Sequence, residues 1–358
     1  MYIRKSNINT LMVIRVIGWL LMIEAMFMTV PMCVSLYYNE YGCAEKFFYT
    51  ILITLSLGGL TTKFVRPDRM DMHRKEGFLL TSLIWVVFSL FGMLPFIFSG
   101  VVDNVTDAFY ETMAGFTTTG STVFSDVENL PKGILLWRSL MQWIGGMGII
   151  LFTLAVMPMF NKSGGVQLFN AEVTGITHDK LRPRVSQTAL GLWGVYIGLT
   201  IIMALLLFMG PMNMFDSICH TLSCVSTGGF STKNTSIGYW DSRYVDSVVI
   251  AFMFLGGVNF SILYNLAHGK FKQAYKNEVL KWYVLICLLG TVICFADLYF
   301  RGENRNVLDC AIDSLFHITA TISTTGYSVE NYSWGQFSLM ILIILMISCA
   351  CAGSTSGG

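Results

Sequence analysis

The stretch that decides the fold is DAFYETMAGFTTTGSTVF at residues 107–124, which is short and mixed in polarity although it lies between two long apolar runs. The pattern recurs as DSICHTLSCVSTGGFSTK at 216–233 and as DSLFHITATISTTGYSVE at 313–330. The three copies align without a gap, because each begins with Asp and has a Gly thirteen residues later. A repeated pattern of this length predicts one structural unit that is used three times.

Each copy is predicted to form a short amphipathic helix that ends in a segment rich in Ser, Thr and Gly. Gly accepts backbone angles that other residues resist and puts no side chain into a lumen. Rings of backbone carbonyls can replace the hydration shell of a permeating cation. We therefore predict an extended, carbonyl-lined cation filter, and the alternative is a set of ordinary outer loops with caps and turns. The candidate filter residues are Thr118, Thr119 and Gly120; Thr227, Gly228 and Gly229; and Thr324, Thr325 and Gly326.

The composition is that of a membrane protein. Of the 358 residues, 54% are hydrophobic and only 13% are charged, whereas a soluble domain carries about 25% charged residues. The net charge of +1 gives no reason to expect nucleic-acid binding. The expected fold is therefore an all-α polytopic membrane protein. No nucleophile–base arrangement or nucleotide-binding glycine loop is found, so neither an enzyme nor a bound cofactor is expected.

Eight apolar segments are candidates for membrane spans. They fall roughly at 11–36, 46–62, 77–99, 134–160, 188–210, 243–267, 279–300 and 336–350. If the N-terminus is cytoplasmic, Lys and Arg are about twice as frequent in the inner segments as in the outer ones, which agrees with the positive-inside rule. All three copies of the repeated pattern then lie on the outer side, where Arg138 is among the few cations.

The predicted organisation is two leading transmembrane helices, followed by three units of helix, pore half-helix with filter loop, and helix. The leading helices occupy 1–76, the units occupy 77–160, 188–267 and 279–358, and cytoplasmic linkers occupy 161–187 and 268–278.

Small residues mark the second helix of each unit. In the first two units they are predicted to permit close helix packing, and they are Gly145, Gly146, Gly256 and Gly257. In the third unit the sequence CACAGSTSGG at 349–358 would make a poor membrane helix. Non-helical backbone at membrane depth is tolerated where it is buried in protein or lines a cavity. An irregular segment beneath the ion path is therefore predicted.

Polar side chains recur at matching positions of the half-helices. The leading aspartates are predicted to cap the helix N-termini, and they are Asp107, Asp216 and Asp313. Four residues later stand Glu111, His220 and His317. For these we favour anchoring of each half-helix to its neighbours over a ring of titratable groups coupled to proton transport. A metal site at Cys219, His220 and Cys224 is disfavoured, because no second pair of ligands accompanies them.

The sequence resembles the Trk/Ktr/HKT superfamily of potassium transporters over nearly its whole length. The resemblance rests on TTTGS, STGGFS and STTGYS, on QWIGGMGI at 142–149, on FLGGVNF at 254–260 and on CAGSTSGG at 351–358. The two extra leading helices, with GWLLMIEAMFMTVPM at 18–32, point to the bacterial Trk branch.

This resemblance implies four helix–pore-loop–helix units around one pore, so the chain would end inside the third of the four. It also implies two subunits per assembly and a cytosolic regulatory subunit that binds nucleotides and NAD. One filter Gly per unit accompanies potassium selectivity in the family. An intramembrane loop of the third unit acts as a gate, which here corresponds to Gly353, Ser354, Thr355, Ser356, Gly357 and Gly358.

The sequence therefore predicts potassium uptake across a bacterial inner membrane, driven by the membrane potential with or without proton coupling. One elementary charge gains about 2.3 kcal/mol per 100 mV of inside-negative potential. The alternatives are a sodium- or ammonium-permeable relative and a non-conducting membrane scaffold or sensor of the same fold.

Overall fold

A computed structural model describes residues 8–67, 74–148, 185–301, 306–329 and 334–357, and every regular element in these ranges is helical. This confirms the predicted all-α membrane fold. The helices are α1 (Thr10–Tyr37), α2 (Tyr41–Phe64), α3 (Arg74–Gly92), α4 (Leu94–Ser99), α5 (Val105–Phe116), α6 (Lys132–Gly146), α7 (Val185–Phe208), α8 (Met214–Val225), α9 (Arg243–Gly256), α10 (Phe260–Ala267), α11 (Phe271–Tyr275), α12 (Glu278–Phe300), α13 (Val307–Ile322) and α14 (Gln336–Ser348), with a 3-10 turn at Ser236–Trp240.

Within the described ranges, five helical segments are long and apolar enough to cross a membrane: Thr10–Tyr37, Tyr41–Phe64, Lys75–Ser99, Leu190–Phe208 and Glu278–Phe300. They match five of the predicted spans. The predicted span at 134–160 begins with α6, and its residues 149–160 lie outside the described part. The predicted span at 336–350 corresponds to the shorter apolar helix α14.

The predicted span at 243–267 is wrong as a single helix. It is broken into α9 and α10, which meet at an angle of 110°. Two adjacent glycines, Gly256 and Gly257, weaken the helix at this point, and the Asn259 side chain accepts a hydrogen bond from Ser261 N and so begins a new helix. The break leaves the Gly256 and Gly257 carbonyls available to accept hydrogen bonds from residues 351–355.

The leading helices α1 and α2 pack against each other through small residues. A Cβ atom on Gly58 would lie 2.7 Å from the Gly18 carbonyl oxygen. This approach is possible because neither residue carries a side chain. The pair shares one buried core with α3, α5 and α6, including Phe47, Phe88 and Trp137. That core fixes the position of the first half-helix, α5.

The predicted close packing at the paired glycines is confirmed, and it brings the second helix of the first unit against the end of its half-helix and that of the second unit against its filter segment. A Cβ atom on Gly145 would lie 1.9 Å from the Phe116 carbonyl oxygen at the end of α5. A Cβ atom on Gly256 would lie 2.8 Å from Cγ2 of Thr227. These helices therefore support the segments in which the candidate residues lie.

The substitution Gly145→Ala is expected to destabilise the protein by about 1–3 kcal/mol, because the new methyl group overlaps a backbone carbonyl that cannot move freely. The measurement is the thermal unfolding of the purified protein in detergent. Gly59→Ala in α2 is the matched control, because a Cβ atom there meets no atom within 4 Å. Equal melting temperatures for the two variants would contradict this packing.

Candidate cation filter

Three helices, α5, α8 and α13, place the candidate residues directly after their C-terminal ends. Their N-caps are Asn104, Asn213 and Asn306, so the prediction that Asp107, Asp216 and Asp313 are the caps was wrong. The Asn104 side chain accepts from Thr106 N, and that of Asn213 accepts from Asp216 N. Asp107 and Asp216 stand in the first turn of their helices, where a negative charge is favourable. Asp313 stands two turns into α13 and pairs with Arg243.

The ends of the half-helices share one backbone conformation, in which a threonine is left-handed. The φ angles of Thr118, Thr227 and Thr324 are 54°, 55° and 58°. In the first two helices the pattern of hydrogen bonds is a Schellman motif, with Thr119 N donating to Ala114 O and Gly228 N donating to Ser223 O. That motif usually has Gly at the left-handed position, so a β-branched residue there is strained.

The glycine two residues later is left-handed as well. Gly120, Gly229 and Gly326 have φ angles of 77°, 79° and 77°. Each segment therefore alternates a left-handed Thr, an intervening residue and a left-handed Gly, and the predicted extended conformation is wrong at these positions. Strained backbone that recurs three times is retained by the surrounding structure and points to a functional site.

The three segments contact each other in order. A Cβ atom on Gly120 would lie 2.0 Å from the Gly228 carbonyl oxygen, and a Cβ atom on Gly229 would lie 1.9 Å from the Thr325 carbonyl oxygen. A Cβ atom on Gly326 would meet no atom within 4 Å. Glycine is thus required where the carbonyl oxygen of the next segment approaches. No further segment among the described residues lies against Gly326 in this way.

A buried glutamine from α6 holds the second segment. Nε2 of Gln142 donates to Gly228 O at 2.7 Å, and its Oε1 accepts from Phe230 N at 3.1 Å. The two contacts bracket Gly229. From the sequence, Gln142 is only part of the motif QWIGGMGI. Its contact with the filter could not be predicted, because helix periodicity does not show which face of α6 meets a non-helical segment.

A buried ion pair joins the first half-helix to the loops that follow two filter segments. Nε of Arg138 lies 2.7 Å from Oε1 of Glu111, and both side chains are buried. Arg138 also donates to Thr122 Oγ1 at 3.0 Å and to Ser231 O at 3.4 Å, and its guanidinium lies 4.2 Å from the Phe230 ring centroid. Arg138 was assigned to an outer segment, but it lies within α6 as a structural link.

Glu111 and His220 anchor their half-helices in equivalent ways. Glu111 accepts from Thr122 Oγ1 at 3.0 Å, and the His220 ring lies 2.9 Å from Ser231 Oγ. Both partners stand eleven residues later in the chain. His317 packs edge-on against Trp334, with 5.3 Å between ring centroids. The favoured anchoring interpretation is supported. Among the described residues, no cluster of three or more metal-ligating side chains is found.

The segment after α14 is irregular, as predicted, and lies against the filter. Ser356 Oγ donates to Ser323 O at 2.7 Å and lies 3.2 Å from Thr324 Oγ1. Thr355 Oγ1 contacts the carbonyls of Val225 and Gly256 at 3.2 and 3.0 Å. Residues 349–357 thus link the break after α9 to the end of α8 and to the third filter segment, and Gly358 lies outside the described part.

Short helices that end within a helical membrane protein at glycine-containing segments are typical of ion channels and related transporters. The chain matches the TrkH family, described as cation transport proteins, over residues 43–358. It is 34% identical over 348 residues to the Trk system potassium uptake protein TrkH of Escherichia coli K12, covering 96% of this chain and 72% of that protein. The corresponding protein TrkG of that strain is 32% identical over 345 residues, covering 95% and 70%.

The structure is also similar to the crystal structure of the potassium transporter TrkH from Vibrio parahaemolyticus. The TM-score is 0.85 at 30% sequence identity, and the match covers 98% of this chain and 72% of that chain. The chain belongs to the TrkH family of cation transport proteins. The resemblance and the expectation of a transporter rather than an enzyme are confirmed.

The substitution Arg138→Met is expected to destabilise the protein by about 3–5 kcal/mol, because it leaves the Glu111 carboxylate buried without its counter-charge. Adding Glu111→Gln removes that charge and should recover most of the loss. Thermal unfolding of the two variants and of the wild type measures both effects. If the double variant is less stable than Arg138→Met, the ion pair is not the source of the loss.

Proposed function

We propose that this protein takes up potassium across a bacterial inner membrane, and that the ion passes between the segments 118–120, 227–229 and 324–326. The observation that carries the proposal is the shared left-handed Thr and Gly conformation of three segments that contact one another. The names of the relatives, which are potassium uptake proteins, support the choice of ion.

Electrostatics favours a cation at this place. The three half-helices end immediately before the candidate residues, and the C-terminal end of a helix carries a partial negative charge. Backbone carbonyls supply further partial charges without the full opposite charge that would trap the ion. In this proposal the membrane potential drives uptake. The hydrogen bonds that anchor Glu111 and His220 argue against these side chains as carriers of protons.

The open position beside Gly326 is the place that a fourth segment of the same kind would fill. Thr119 at the other end of the series is exposed, whereas Gly228 and Thr325 are buried between neighbours. A closed ring therefore needs one more contact at each end. This supports the four-unit arrangement that the resemblance implies, together with the proposed division into leading helices at 1–76 and units at 77–160, 188–267 and 279–358.

We further propose that residues 353–358 form a gate beneath the filter. The contacts of Ser356 with Thr324 of the third filter segment and with Ser323 directly before it support this role. A cytoplasmic N-terminus is supported by the excess of Lys and Arg in the segments that would then be inside. An assembly of two subunits and a cytosolic nucleotide- and NAD-binding regulatory subunit are proposals that rest on the resemblance.

Gly120→Ser is expected to reduce the preference for potassium over sodium about tenfold or more. The side chain would be strained at a φ of 77° and would displace the Gly228 carbonyl oxygen. The measurement is cation uptake by a strain that lacks its own potassium uptake and expresses the complete transporter. Gly100→Ser is the matched control, because Gly100 is left-handed at 68° but a Cβ atom there meets nothing within 4 Å.

Unchanged selectivity of Gly120→Ser would refute the filter assignment. If the wild-type protein takes up sodium or ammonium and not potassium, the filter assignment stands but the proposed ion is wrong. If no cation moves in the complete assembly, the protein is a scaffold of the same fold and the proposed function is wrong.

Ser356→Ala is expected to raise the cation flux several-fold, because it releases residues 353–357 from the third filter segment. The flux is measured in proteoliposomes at a fixed potassium gradient. Ser348→Ala is the control, since the Ser348 hydroxyl donates to Leu345 O within its own helix. A gate role is contradicted if the flux of Ser356→Ala equals that of the control.

A further inference from the structure

Gln142 makes an unusual pair of contacts with the filter. Its side chain is completely buried, and its amide reaches backbone groups two residues apart, the Gly228 carbonyl and the Phe230 amide. One contact donates a hydrogen bond and the other accepts one. The partners fix which end of the amide is nitrogen, because a carbonyl needs a donor and an N–H needs an acceptor.

The second segment is shaped around this side chain. A Cβ atom on Gly228 would lie 2.3 Å from Cδ of Gln142, so glycine is required at that position for the amide to lie against the backbone. On its other side the amide is near the first segment, with Nε2 3.7 Å from the position of a Cβ atom on Gly120. Gln142 thus lies at the junction of two filter segments.

The contact is specific to this junction. In the second unit the position three residues before the helix glycine Gly256 is Met253, which is buried, and in the third unit the residue three before Gly353 is Ala350. Neither side chain can donate or accept in the way that an amide does. The three segments therefore share a backbone conformation but are held by different side chains.

We propose that Gln142 is a positioning residue for the filter, and that it holds the Gly228 carbonyl in the orientation that sets the preference among monovalent cations. The proposal rests on the proposed function of the site. The orientation of a carbonyl whose neighbours are left-handed Thr227 and Gly229 is not fixed by a helix or sheet. A bidentate amide supplies the constraint that regular secondary structure would otherwise give.

The chemistry of the amide gives a direct test. A neutral carboxylic acid can donate one hydrogen bond and accept one, as the amide does, whereas a carboxylate can only accept. Gln142→Glu therefore keeps both contacts when the acid is protonated. When it is ionised, one carboxylate oxygen still accepts from Phe230 N, but the other faces the Gly228 carbonyl oxygen, and neither of these two can donate. Gln142→Leu has a similar size and keeps neither contact.

The experiment measures the ratio of potassium to sodium flux in proteoliposomes containing the complete transporter, at about pH 4 and about pH 9, which lie on either side of the range in which a glutamic acid titrates in proteins. Relative to the wild type at the same pH, Gln142→Glu should be close to normal at the lower pH and about tenfold less selective at the higher one. Gln142→Leu should lose about tenfold at both pH values. Met141→Leu, a buried neighbour on the same helix with no polar group, should match the wild type.

The positioning role is overturned if Gln142→Leu keeps the wild-type preference, or if the selectivity of Gln142→Glu does not change with pH. Because Gln142→Glu is compared with itself at two pH values, the test holds even if Gln142→Leu fails to accumulate. If the wild-type protein carries another monovalent cation, only the choice of potassium in the proposed function is wrong. The positioning role would then still be supported if the Gln142 variants lose the preference for that other cation.

Discussion

The structure of the candidate site depends on a backbone constraint, the left-handed conformation of Thr118, Thr227 and Thr324. A β-branched residue in this region costs of order 1 kcal/mol or more, and glycine would remove the cost. The Schellman-type hydrogen bonds at the helix ends hold the conformation in place. The threonines persist in spite of the strain. The second helix of the first and second units then packs against these segments through Gly145 and Gly256, where a side chain would not fit.

Because the filter segments belong to no regular secondary structure, side chains of the surrounding helices must fix them. Gln142 holds the second segment, Arg138 and Glu111 join the loops after the first and second segments, and Ser356 contacts the third. The loops after the first and second filter segments are also joined to each other, because Asn234 accepts from Val127 N at 2.8 Å and donates to Asp126 at 2.9 Å. This last bond, at an exposed position, lowers the pKa of the Asp126 carboxyl.

The sequence predicted the features that repeat. Hydropathy located five of the spans, and the ungapped alignment located Gly120, Gly229 and Gly326, which share one conformation. Features that occur once were missed: Gln142 and Arg138 have no counterpart that an internal alignment could reveal. The break between α9 and α10 was missed as well, although α6 ends at the matching glycine pair. Asp107 and Asp216 are not the caps, because NVTD and NMFD place Asn at the cap and Asp three residues later. The break after Gly256 could have been suspected from its glycine pair, but its angle depends on contacts with residues 351–355.

The central claim is that the three left-handed segments form one cation site. It is tested most directly by a crystal structure of the complete transporter grown in rubidium, with data collected at the rubidium absorption edge. The account predicts anomalous difference peaks between the segments that contain Gly120, Gly229 and Gly326. These peaks should disappear when rubidium is replaced by potassium. Peaks at another place in the membrane region, with none between these segments, would contradict it.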